Sequence, residues 1–119
     1  MGFFWFLVFG FWVEGEGWRE LKSHGPTGLE VWKRSLALVK DIYEATSQFP
    51  PAEKYGLAQQ ISRAAVSIPS NIAEGQFRNS SKEFKQFLSI ALGSAAELET
   101  QLIISKEINY LTFEDMAAY

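Results

Sequence analysis

SSKEFKQFLSIALGSAAELETQLIIS, residues 80–105, decides the fold. Phe84, Leu88, Ala91, Ala95, Leu98, Leu102 and Ser105 recur at spacings of 4, 3, 4, 3, 4 and 3. That is three heptads of a helix-bundle seam. Ser80 and Glu83 stand as N-cap and N3 of a capping box, so the spacing predicts a helix over 81–108. Opposite the seam, at about 100° per residue, Ser89, Gly93, Ala96 and Thr100 form a line of small side chains. Small residues let a neighbouring helix approach closely. Two readings of the line stand: a second neighbour inside the same bundle, or an interface with another subunit. Ile90, Ile104 and Ile108 occupy a further side, so this helix is apolar round more of its circumference than a surface helix.

Working outward, residues 29–46 predict a first helix. Leu29, Trp32, Leu36, Val39 and Tyr43 fall on one face, which Leu38 and Ile42 widen. Pro50 and Pro51 end it, because the residue before a proline disfavours the α region. A second helix is predicted over 51–75, starting near Pro51 or Ala52 with Leu57, Ile61, Ala65, Ile68 and Ile72 as its apolar face. Pro69 lies inside that run and removes one backbone donor, so a kink or break is expected there. Ser67, Ser70 and Asn71 flank it and are expected to bond the groups it leaves unpaired. Gly75 reads as the C′ stop. On the far side, Thr112-Phe113-Glu114-Asp115 is a second capping-box start, with Leu111 and Met116 as its staple. Only residues 113–119 follow, about two turns or ~10 Å. No alternating apolar run follows residue 28. The fold expected of 29–119 is all-α, an antiparallel up-and-down four-helix bundle with the fourth helix truncated.

Residues 1–28 have a different composition. MGFFWFLVFGFWVEGEGW, residues 1–18, holds eight of the 18 aromatics and three of the four tryptophans. Its uncharged run of 13 residues is shorter than the roughly 20 that span a bilayer. It lacks the leading basic residues and the small-x-small site of a signal peptide. Four glycines and a proline in residues 14–28 read as a linker. Residues 1–28 are therefore expected to be an appendage outside the fold. The competing reading, a membrane-surface anchor, lacks the basic face such helices carry.

The chain of 119 residues has 47% apolar and 21% charged side chains, a globular composition for one domain. Its net charge of -3 argues against coating nucleic acid by bulk charge. There is no cysteine, which excludes disulfides, thiolate metal sites and cysteine nucleophiles. His24 is the single histidine and lies in the linker, so a two-histidine metal site is excluded. Glu97 and Glu99 are two apart and point to different sides of their helix. No Glu-x-x-His pair and no Gly-rich phosphate loop occurs. These features predict no catalytic residue, no metal and no cofactor. One basic group stands out. Arg78, Lys82 and Lys85 are at i, i+4 and i+7, a spacing that puts them on one face at the start of the third helix. They read either as a solvated face or as a phosphate contact, which repetition round a ring would strengthen.

Four stretches carry a resemblance. They are LEVW at 29–32, EKYGL at 53–57, RAAVSIPSNIAEG at 63–75 and ALGSAAELETQL at 91–102. They closely resemble the bacterial four-helix bundle proteins encoded in intervening sequences of 23S ribosomal RNA genes, to which the accessory variability determinant of diversity-generating retroelements is related. The resemblance covers 29–119. It implies a small cytoplasmic bundle that assembles as a homopentameric ring, without enzymatic activity, cofactor or small-molecule substrate. It also implies RNA or DNA as a partner. This chain departs from the family pattern in three ways. Its bundle region has 9 basic and 11 acidic side chains where the retroelement relatives are strongly basic. Residues 1–28 have no counterpart, and the family's fourth helix is longer. Two other functions fit the same residues: a protein-interaction scaffold without nucleic acid, and a membrane-surface adaptor anchored by residues 1–13.

Overall fold

The computed structural model describes residues 30–112 and 114–115. The expected appendage 1–28, Leu29 and most of the expected fourth helix (Phe113 and residues 116–119) lie outside the described residues. Within them the chain forms three α-helices, α1 Glu30–Thr46, α2 Leu57–Gln76 and α3 Ser81–Glu107, with a 3₁₀ turn Pro51–Glu53 before α2. No strand occurs among the described residues. α2 packs against both α1 and α3, with the larger interface on α3, and no comparable contact joins α1 to α3.

α1 buries Ser35, Leu38, Ile42 and Ala45, and Phe49 just beyond its end continues the same 3-4 spacing. The expected face included Leu36 and Tyr43, and here the sequence reading is corrected. They are 42% and 54% exposed, while Trp32 and Val39 pack only partly against the core. α1 carries two apolar stripes side by side. α2 takes the one containing Ser35 and Ala45, where small side chains let the helices close up. Ser35 does not spoil that stripe, because its hydroxyl donates to the Trp32 carbonyl at 2.7 Å. A buried polar group whose hydrogen bond is met locally costs little.

α2 starts later than its sequence suggests. Pro51–Glu53 makes one 3₁₀ turn, and the α-helix begins at Leu57. Its N-cap, Gly56, offers no side chain. The Leu57 N–H instead donates to Glu53 Oε2 at 3.0 Å, so a carboxylate four residues back caps the helix. Ile61, Ala64, Ala65, Ile68 and Ile72 form its core face. Pro69 is buried within α2, and the helix continues unbroken through it to Gln76. The flanking side chains do not do what was expected of them. The missing N–H frees the Ala65 carbonyl, whereas Ser67, Ser70 and Asn71 donate to the carbonyls of Ala64, Val66 and Ser67. Gly75 is not a C′ stop either. It is buried in the last turn, and a Cβ there would come within 2.9 Å of Phe84 Cδ2 and of Phe87 Cβ. It is glycine because α3 crosses too close for a side chain.

α3 matches its seam. Phe84, Leu88, Ala91, Ala95, Leu98, Leu102 and Ser105 are all buried, and the Glu83 N–H donates to Ser80 Oγ at 3.1 Å. Asn109 ends the helix in the left-handed region, at φ 64°. The Asn109 N–H then reaches the Lys106 carbonyl at 3.0 Å, and the Tyr110 N–H reaches that of Ser105 at 2.8 Å. This is a Schellman cap with asparagine in the glycine position. The turn carries Tyr110 back to the first corner. Its hydroxyl donates to Glu53 Oε1 at 3.1 Å, and its ring lies 5.3 Å from that of Phe49. The second capping box forms as expected at its first turn. The Asp115 N–H donates to Thr112 Oγ1 at 3.1 Å and the Thr112 N–H to Asp115 Oδ2 at 2.8 Å.

Candidate nucleic-acid and assembly surfaces

The α2–α3 corner is a short, pinned segment. The Phe77 N–H donates to the Glu74 carbonyl at 3.1 Å and the Arg78 N–H to that of Gly75 at 3.2 Å. Arg78 Nη2 lies 2.9 Å from Glu74 Oε1, and its guanidinium carbon sits 4.8 Å from the centroid of the Phe87 ring. An exposed ion pair of this kind adds at most about 1 kcal/mol, but pair and ring together orient the guanidinium. Arg78 precedes the Ser80 N-cap, so the helical spacing that grouped it with Lys82 and Lys85 does not hold. Lys82 and Lys85 lie exposed in the first turns of α3. The structure thus brings the three cations to one end of the molecule, with Arg78 on the connecting segment rather than on the helix face. Glu74 and Glu83 accompany them there.

Ser89, Gly93, Ala96 and Thr100 are all exposed, and a Cβ built at Gly93 would meet nothing within 4 Å. No described helix lies on this line, which removes the reading as a neighbour inside the described bundle. Ile90, Ile104 and Ile108 are exposed beside it. A second apolar area lies elsewhere, on α1. There Leu36 and Tyr43 are exposed, and Tyr43 lines an open groove of about 500 Å³ with Phe49, Pro51, Lys54, Ala58 and Ser62. α3 is the one helix among the described residues long and apolar enough to cross a membrane; its buried residues are the seam of the core.

Titratable groups show no concentrated chemistry. Among the described residues, no three of His, Cys, Asp and Glu gather where they could hold a metal ion. Tyr110 is held above the ordinary tyrosine pKa, first by its hydrogen bond to the Glu53 carboxylate, then by burial and by that negative charge. Asp115 is held below the ordinary carboxylate value by the bonds from the Thr112 backbone and hydroxyl.

Two features of the corner escaped the sequence reading. Phe77 is 79% exposed, and Phe87 supports Arg78. An apolar residue outside every helical period, next to an arginine, is the signal that would have found Phe77.

Residues 27–119 match the family model described as 23S rRNA-intervening sequence protein. No curated protein matches the chain. The matched span takes in every described helix and both corners. This chain belongs to the 23S rRNA-intervening sequence protein family.

Proposed function

We propose that this is a non-enzymatic protein that assembles with copies of itself, as a ring of five, and presents Arg78, Lys82 and Lys85 to RNA or DNA. It acts in the cytoplasm and uses no cofactor. The observation that carries the reading is the outer face of α3. A helix with a full seam on one side and exposed Ile90, Ile104, Ile108 and an open Gly93 on the other has a second face to bury. The described helices also leave room for a fourth. α1 and α3 do not pack together as they would in a three-helix bundle, and a capped turn begins at Thr112. An up-and-down four-helix bundle places its first and third helices on a diagonal, with the fourth between them.

Light scattering of the purified chain tests the assembly. A pentamer mass is expected, and a monomer at micromolar concentration would end this reading. Gly93→Leu sharpens the test. The new side chain meets no atom of the described residues near its Cβ, so it should lower the mass while circular dichroism stays unchanged. For nucleic acid, Arg78→Glu, Lys82→Glu and Lys85→Glu together should abolish binding and flatten its salt dependence. The same exposed faces and the net charge of -3 favour a second reading, a protein-interaction scaffold. An assembled wild type that binds no nucleic acid at low salt would select it.

A further inference from the structure

We infer that Phe77 is a stacking platform for an unpaired base, which makes single-stranded nucleic acid, rather than duplex, the partner of the α2–α3 corner. The inference rests on the nucleic-acid reading above and names the class of ligand. Phe77 is one of the two most exposed large apolar side chains among the described residues, at 79%. It contributes nothing to the core cluster. Packing among the described residues therefore gives no reason for an aromatic ring at this position. Its backbone is nonetheless fixed, as the α2 C-cap, by hydrogen bonds to the last turn from Phe77 and Arg78. The ring is presented on a rigid corner.

Its surroundings point to a phosphate chain. Arg78 is next in sequence, held in place by Glu74 and by the face of Phe87. Lys82 stands exposed one short step on, at the start of α3. An exposed aromatic flanked by cations is the arrangement that binds unpaired strands: the ring stacks on a base and the cations follow the backbone. Duplex DNA or RNA keeps its bases stacked on one another and offers no free face to such a ring. The other exposed aromatic of this kind, Tyr55, has Lys54 about 5.5 Å from its own ring centre, which already covers that face. The local charge is small, since Glu74 and Glu83 share the corner with three cations. Affinity then depends on stacking and on the number of copies more than on net charge.

The experiment uses the full chain at low salt, with a labelled 20-nucleotide oligouridylate, a duplex of equal length and mixed sequence, and vesicles containing anionic lipid. Wild type should bind the single strand more tightly than the duplex. Phe77→Ala should weaken single-strand binding by roughly fivefold or more, given about 1–3 kcal/mol per stacked base. Phe77→Trp should restore it, and neither substitution should alter circular dichroism or assembly mass. If wild type binds the single strand but Phe77→Ala binds it equally well, the stacking inference falls while the cation reading stands. Equal affinity for duplex and single strand has the same meaning. No binding to either nucleic acid removes both readings, and binding to the vesicles alone assigns the corner to a membrane surface.

Discussion

Gly75 and Gly93 both lie inside helices, and they mark opposite kinds of surface. At Gly75 the side chains of Phe84 and Phe87 on α3 would come within 2.9 Å of an added Cβ; at Gly93 the space is empty to 4 Å. The first glycine permits the α2–α3 crossing. The second thins the outer face of α3, where no described helix lies. Two glycines of equal appearance in the sequence thus mark a crossing made between two helices and a surface that no described helix covers.

The contrast is most strongly broken by removing what crowds Gly75. Phe84 is fully buried, so Phe84→Ala should cost about 3–5 kcal/mol in urea unfolding. Next comes Gly75→Ala, which overpacks the crossing and should lose about 1–3 kcal/mol. The two sites touch, so their effects should not add. In the Phe84→Ala background Gly75→Ala should cost clearly less, and a fully additive double mutant would show that Phe84 is not what excludes the side chain. Gly93→Ala should have the opposite sign to Gly75→Ala. It replaces glycine in a helix without a clash and should raise monomer stability by about 0.5–1 kcal/mol. A loss there would mean the face is occupied.

The smallest effects concern pH at the other end of the molecule, where two half-buried groups titrate. Tyr110 is raised by its bond to Glu53, so the stability it contributes is present below the ordinary tyrosine pKa and fades as pH rises through its folded value. Tyr110→Phe should remove that alkaline loss from thermal melts. Asp115 is lowered, so its contribution is present above the ordinary carboxylate pKa and fades as pH falls through its folded value. Asp115→Asn should flatten the acid limb slightly. Neither change should alter the difference between Gly75 and Gly93, and a shift in it would tie the two ends together.

The seam of α3 was legible because its positions, Ser105 apart, are filled by side chains a hydrophobic reading counts or by alanines in step with them. The face of α1 was misread because Ser35 and Ala45 carry half of it, and small or self-satisfied residues do not register as core. Gly75 was misread for a related reason. A glycine near a helix end looks like a stop until the partner helix is present. The start of α2 depends on Glu53 reaching forward four residues, a contact no propensity rule contains. Arg78, Lys82 and Lys85 were found as charges, but their grouping assumed a helix that begins only after Arg78. Phe77 was overlooked because a lone aromatic outside a period has no pattern to belong to.

Glu53 has a further consequence. One of its oxygens holds the first amide of α2, at Leu57, and the other holds the Tyr110 hydroxyl just past the end of α3. Fraying at either place leaves the carboxylate half-engaged and loosens the other. The start of α2 and the Schellman turn after α3 are therefore joined through one side chain, although more than 50 residues separate them along the chain. In hydrogen exchange, Glu53→Ala should lower protection most at the Leu57 amide, which Glu53 caps directly, and less at the Tyr110 amide, whose own bond is to the Ser105 carbonyl.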